Sequence, residues 1–116
     1  MAKILVHVTS GPEQPTRAAL AFLVAKAALE GGHEVSVFLA GDGVQLLRDA
    51  TLDAVKGVGT GSLRESFDAV VAGGATIYAS RMSSDAREVT IEGKAEPGTP
   101  GLLVELTLEH DRVLSY

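Results

Sequence analysis

Residues 74–84 read GATIYASRMSS, which combines a glycine turn, a short apolar strand and a polar tip that opens a helix. In α/β proteins such a tip lies just outside the carboxyl end of a strand, where ligands bind. Two similar strand–helix units precede this stretch, and the elements that close the sheet follow it. We therefore expect the tip, which contains Ser80 and Arg81, to lie at the edge of a sheet where a functional site would form.

The alternation of apolar runs with helical patterns predicts the fold class. Strands are predicted over residues 4–8, 34–39, 75–79, near 94–95 and over 112–116. Helices are predicted over residues 15–30, 44–55, 62–72, 85–89 and from Pro100 onwards. Ser62 and Glu65 have the spacing of a capping box, and Thr99 precedes the last helix as a cap. Strands that alternate with helices predict a parallel sheet covered by helices on both faces.

The first predicted helix, residues 15–30, is apolar nearly all round. Only Arg17, Lys26 and Glu30 carry charge in it. Because a helix of this kind is usually buried on more than one side, we interpret the pattern as an indication of subunit packing. The alternative is an alanine-rich helix that contacts nothing outside its own chain.

Length and composition limit the classes of function. With 116 residues the chain forms a single domain, residues 1–116. The net charge of −5 disfavours a nucleic-acid partner, because phosphate contacts depend on Lys and Arg. The chain contains no cysteine, which excludes disulfides and thiol chemistry. No signal peptide and no apolar run of about 20 residues is present, so we expect a cytoplasmic protein without a membrane partner.

The sequence contains no motif typical of a catalytic site or of a metal-binding site. Ser80 has no G-x-S-x-G elbow and no assigned base, so we interpret it as a turn residue whose hydroxyl bonds nearby backbone. His7 is predicted to be a hydrogen-bonded core residue, and His33 and His110 to be solvated. Their spacing is not that of a metal site. We predict no catalytic residue, no metal and no cofactor, and we interpret the glycines of residues 57–61 as a flexible connector rather than a phosphate loop.

A binding site is better predicted by the polar residues at the strand tips. On a parallel sheet these tips share one edge, where helix N-termini present free N–H groups to an anion. Two arginines could add positive charge. Ordinary loop polarity with helix capping is the alternative. The candidate binding residues are Thr9, Ser10, Gly11, Arg17, Asp42, Gly43, Ser80 and Arg81.

Nearly the full chain resembles the DsrE/DsrF-like family of small α/β proteins. The resemblance depends on the order and spacing of several short motifs rather than on one diagnostic motif. These are the turn at residues 7–11, the helix with Arg17, the stretches at residues 32–38 and 41–44, and the end at residues 111–114.

The resemblance implies a three-layer α/β/α sandwich with a mainly parallel five-stranded sheet, assembled as a trimer or hexamer. Several members of that family relay sulfur through a cysteine just past the third strand. Ser80 occupies that position in this sequence. Because a serine hydroxyl ionises far above the pKa range that makes thiols reactive, the relay activity does not carry over.

Three hypotheses for function follow from these observations. The first is a non-catalytic, homo-oligomeric module that binds a small ligand, such as an anion, or a partner protein at the carboxyl edge of the sheet. The second is an accessory subunit of a persulfide-relay complex whose reactive cysteine lies on another chain. The third is a purely structural oligomer. A bound anion would favour the first hypothesis, and a cysteine-bearing partner that co-purifies would favour the second.

Overall fold

Five parallel strands form the central sheet of the computed structural model, which describes residues 1–116. The strands are β1 (Lys3–Val8), β2 (Glu34–Leu39), β5 (Thr76–Ser80), β6 (Glu96–Gly98) and β7 (Arg112–Ser115). Their order across the sheet is β6-β5-β2-β1-β7, and every neighbouring pair is parallel. The two remaining strands, β3 (Lys56–Gly57) and β4 (Gly61–Ser62), form a separate antiparallel hairpin.

Helices cover both faces of the sheet, as the α/β/α prediction requires. They are α1 (Pro15–Glu30), a 3₁₀ helix (Gly41–Leu47), α2 (Asp49–Ala54), α3 (Leu63–Ala72), α4 (Arg81–Ala86) and α5 (Pro100–Glu109). The main core lies between one face of the sheet and α1, α2 and α3. On the other face a smaller core joins Leu5 and Phe38 to Leu106 of α5. None of these helices is both long and apolar enough to cross a membrane.

Helix α1 finds its apolar contacts within the chain. Phe22 lies against Phe67 of α3, with ring centroids 5.2 Å apart. Ala18, Ala21 and Ala25 are fully buried. The face of α1 that contains Phe22 and these alanines is therefore packed within the chain. Leu20, Leu23 and Val24 are only partly buried, and subunit packing through α1 stays a prediction. The exposed apolar side chains lie elsewhere, with Val104 and Leu108 on α5 and Val113 and Leu114 on β7.

Several predicted boundaries differ in the structure. The helix predicted over residues 44–55 is divided into the 3₁₀ helix and α2, because Arg48 between them has extended backbone angles. The prediction of a capping box is wrong, because Ser62 belongs to β4 and its side chain makes no hydrogen bond that caps α3. The edge strand begins at Glu96, because Lys94 and Ala95 both donate to the Ile91 carbonyl and form a turn. Thr99 does cap α5, accepting a bond from the Leu102 N–H at 3.1 Å.

Candidate functional site

The tips of three neighbouring strands meet at the carboxyl edge of the sheet. Thr9, Ser10 and Gly11 follow β1, Asp42 and Gly43 follow β2, and Ser80 ends β5. A Cβ on Gly11 would collide with the Asp42 carbonyl, and one on Gly43 would collide with the Val8 carbonyl. Both glycines are thus explained by the close approach of two backbone segments. Thr9 is held by backbone and side-chain bonds to the Tyr116 carbonyl, at 2.8 and 3.2 Å.

Helix α4 is joined to these tips through serines. The Ser80 hydroxyl accepts from the Ser83 N–H at 3.2 Å and so caps α4. The Ser83 hydroxyl in turn accepts from the Gly41 N–H at 2.9 Å. The helix predicted over residues 85–89 therefore starts earlier, at Arg81, and is capped by Ser80. Because Ser80 is buried and engaged as a cap, its hydroxyl is not presented as a nucleophile.

An ion pair forms one wall of a small cavity beside these serines. Arg87 Nε lies 2.9 Å from Asp42 Oδ1, which also accepts from the Gln45 amide at 3.0 Å. Arg48 donates to the Arg87 carbonyl at 2.6 Å. The cavity has a volume of about 150 Å³ and is lined by Gly41, Asp42, Ser83, Ala86 and Arg87. Asp42 was among the predicted binding residues, whereas Ser83 and Arg87 were not, because they follow no recognisable motif.

Both arginines of the predicted set lie outside this cavity. Arg81 pairs with Glu92 at 3.2 Å. Arg17 is exposed on α1 and does not line the cavity. The cation at the site is therefore Arg87, and the structure brings together the strand-tip residues without either predicted arginine.

One backbone N–H at this edge already donates to a carboxylate of the same chain. The Gly11 N–H donates to both carboxylate oxygens of Glu13, at 2.9 and 3.1 Å. An anion arriving at the tip of β1 would have to displace Glu13. The part of the edge with an exposed cation is the cavity at Arg87, whose side chain is 56% exposed.

The histidines are placed differently from the predictions. His7 is half-buried, edge-on to Phe38 with ring centroids 6.0 Å apart, and its Nε2 is buried without the expected hydrogen bond. Burial lowers the pKa of His7. His33 Nδ1 accepts from the Ala2 N–H at 3.0 Å, and His110 Nδ1 lies 2.6 Å from the Leu106 carbonyl. Neither is simply solvated, because each is bonded to a backbone group.

No group of three or more histidine, aspartate or glutamate side chains is arranged to hold a metal ion. The chain has no cysteine. The strand tips therefore offer hydroxyls, one ion pair and backbone groups. This set of groups suits binding by hydrogen bonds and charge, and it contains no activated nucleophile.

These features define a three-layer α/β protein with a parallel five-stranded sheet and, at its carboxyl edge, a small cavity with an ion pair in its wall. The chain belongs to the DsrE/DsrF-like family, whose sequence model matches residues 2–116, so the predicted family is confirmed. A search of curated proteins gives no match.

Two solved structures share the fold. The crystal structure of the ychN protein from E. coli has 20% sequence identity and a TM-score of 0.81, with 100% of each chain covered. The structure of BT1422, a conserved protein of unknown function from Bacteroides thetaiotaomicron, has 16% identity and a TM-score of 0.67, with 99% of this chain and 95% of that chain covered. At these identities the similarity shows the fold alone.

Proposed function

We propose that this chain is a non-catalytic, cytoplasmic, homo-oligomeric binding module, and that its site is the cavity beside the tip of β2. The observation that carries the proposal is the Asp42–Arg87 ion pair, which forms a wall of a small cavity at the edge where α/β folds bind ligands. Ser83 adds a hydroxyl to the same cavity. The buried, capping Ser80 supports binding rather than catalysis.

The ligand that suits this cavity is a small anion or a ligand with an anionic group. Arg87 is more exposed than Asp42, so its remaining N–H groups are available to an acceptor. A volume of about 150 Å³ suits a compact group rather than a nucleotide. Arginine binds phosphates and carboxylates through paired N–H donors, which gives the geometry needed for selectivity.

Titration with inorganic phosphate, followed by NMR of the backbone amides, tests the site. We expect shifts at Gly41 and Ser83, and about tenfold weaker binding in Arg87→Gln, because a charge-assisted hydrogen bond is lost. Arg112→Gln is the matched control, since Arg112 is an exposed arginine at the opposite end of the fold, on β7. Equal binding by both variants, or no shift at Gly41 and Ser83, would contradict the anion site.

The proposed assembly uses the apolar side chains that α5 and β7 expose. Leu108 is 81% exposed and Val104 is 60% exposed one helical turn away. Strand β7 is also a sheet edge, so its outer backbone groups have no strand partner. Association of copies through this surface would cover the apolar side chains, as exposed patches of this kind commonly require.

Native mass spectrometry of gently purified protein tests the assembly, with a trimer or hexamer as the expected result. Leu108→Glu should shift the population toward monomer, because it places a charge in the covered surface. Val58→Glu is the control, since Val58 is 86% exposed in the turn of the β3–β4 hairpin. A wild-type monomer, or dissociation by both variants, would refute this surface.

A second candidate function is favoured by the absence of cysteine combined with the family's sulfur chemistry. In this alternative the chain is an accessory subunit of a persulfide relay, and a partner chain carries the thiol. The same mass spectrum distinguishes the two functions. Extra mass equal to a cysteine-bearing protein would support the accessory subunit, and a pure homo-oligomer would support the binding module.

A further inference from the structure

The two edges of the central sheet differ in their capacity to pair with a further strand. Strand β6, at one edge, has three residues, and its middle residue, Pro97, has no N–H to donate. Strand β7, at the other edge, has four residues and no proline. Every residue of β7 is exposed, including Val113 at 39% and Leu114 at 38%. The outer edge of β7 is therefore the one that is open to strand addition.

Hydrogen bonds to β1 show which backbone groups of β7 face outward. Just beyond the strand, the Tyr116 N–H donates to the His7 carbonyl at 2.9 Å, so Tyr116 faces β1. The register of β7 with β1 is constant along the strand. Because the backbone groups of successive residues point to opposite sides of a strand, Leu114 also faces β1, whereas Val113 and Ser115 face away from the sheet. No strand of the chain lies on that side.

We propose that β7 pairs antiparallel with β7 of a second copy of the chain, across a two-fold axis that passes beside Leu114. In this register Val113 lies opposite Ser115 of the second copy, and each such pair exchanges two backbone hydrogen bonds. Both outward-facing residues of β7 thereby find partners within β7 itself. The pairing rests on the proposed homo-oligomer, and it specifies which residues of two copies meet.

The side chains of β7 are complementary in the same register. Leu114 lies directly opposite its own counterpart, so the two apolar side chains cover each other. Arg112 lies opposite Tyr116 of the second copy, on the same face as Leu114, because residues two apart share a face. The Arg112 guanidinium has no ion-pair partner and donates only to the Asp111 carbonyl, at 2.7 Å. A tyrosine ring beside it would add a cation–π contact. A second copy supplies all of these partners by symmetry, which an unrelated peptide would not.

Cysteine cross-linking tests this pairing directly, because the native chain contains no cysteine. Leu114→Cys should give a disulfide-linked dimer as its main species under mild oxidation. The Cα atoms of a directly opposed pair that is not hydrogen-bonded lie about 4.5 Å apart, which is within the range of disulfides. Val113→Cys is the matched control, since Val113 and Leu114 are equally exposed. In the proposed register Val113 lies roughly 8 Å from its own counterpart, beyond the reach of a disulfide, so little dimer should form.

Native mass spectrometry of Ser115→Pro provides a second test. The substitution removes an outward N–H that has no partner within the chain, so the fold should be retained, which circular dichroism verifies. Because a two-fold pair requires an even number of copies, we expect the wild type to be a hexamer and this variant to be a trimer.

The outcomes separate this pairing from the proposed assembly as a whole. Equal cross-linking of the two cysteine variants, or a wild-type hexamer that Ser115→Pro leaves intact, would overturn the pairing through β7 and leave association through α5 standing. A wild-type trimer would do the same, since three copies cannot be related by two-fold pairs. A wild-type monomer would refute the pairing together with the proposed assembly.

Discussion

The Gly41 N–H donates to the Ser83 hydroxyl at 2.9 Å, which joins the segment after β2 to α4. Ser83 also donates its own N–H to Ser80, so one residue links two strand tips. This arrangement fixes the position of α4. Arg87 directly follows α4, so the same arrangement determines where Arg87 meets Asp42. The geometry of the candidate site therefore depends on a neutral hydrogen bond as well as on its ion pair.

Replacing Ser83 with alanine should loosen this link. We expect a loss of about 0.5–1.5 kcal/mol in the free energy of unfolding, the usual net value of one hydrogen bond. Hydrogen exchange at the Gly41 amide should also become faster, because its acceptor is gone. Urea unfolding and exchange NMR measure the two effects. Ser115→Ala, on the exposed edge strand, is the control, and unchanged exchange at Gly41 in Ser83→Ala would contradict the link.

The close approach of Gly43 to β1 predicts a larger effect. Gly43→Ala should destabilise the fold by about 1–3 kcal/mol, because the new methyl group meets the Val8 carbonyl. Gly101→Ala is a matched control in the first turn of α5, where the nearest atom outside its chain neighbours is 3.9 Å from the added Cβ. That variant should be neutral or stabilising by up to about 1 kcal/mol. Equal destabilisation of both variants in urea would refute the steric explanation.

The two expected helix caps give opposite predictions. Thr99→Ala should cost about 1 kcal/mol, because the Leu102 N–H loses its acceptor. Ser62→Ala should cost almost nothing, because the Ser62 side chain makes no cap bond. Denaturant unfolding of the two variants side by side measures the difference. A larger loss in Ser62→Ala than in Thr99→Ala would show that α3 is capped as the sequence suggested.

Burial of His7 predicts a dependence of stability on pH. Because burial lowers the pKa of His7 in the folded state, the folded chain binds its proton less readily than the unfolded chain. The stability from neutral His7 is then complete above its ordinary pKa of about 6.5 and is lost as the pH falls below that value.

Urea unfolding at about pH 7.5 and about pH 5.5 measures this dependence around the ordinary pKa of histidine. His7→Gln should lose less stability than the wild type over the same interval. NMR titration of the imidazole should show the lowered pKa directly. An equal loss in both proteins would assign the acid sensitivity to other groups.

Local patterns in the sequence were enough to predict the order of the main elements. Strands β1, β2 and β7 and helices α1 and α3 lie within about two residues of their expected bounds, and α5 begins at the expected Pro100. Apolar periodicity, prolines and glycines predict these bounds because they act over a few neighbours. The region after β2 was predicted less well. There the chain forms a 3₁₀ helix, and Arg48, which follows it, donates to the carbonyl of Arg87, a contact between distant segments.

The candidate site was predicted only in part for the same reason. Placing Asp42 and Ser80 at one edge required only the rule that parallel strands end together. Choosing Arg87 over Arg17 and Arg81 required the positions of Glu92 and α4 in space.

By itself the sequence determined the parallel α/β class, the family and the absence of thiol chemistry, since these depend on residue type and short-range order. Only the tertiary structure decided which charges meet, which apolar side chains remain exposed and which donors are already occupied. Glu13 is the clearest case, because its carboxylate takes the Gly11 N–H that the strand-tip hypothesis assigned to an anion. Ion pairs and hydrogen bonds act over a few ångströms, so folding distant segments together selects their partners.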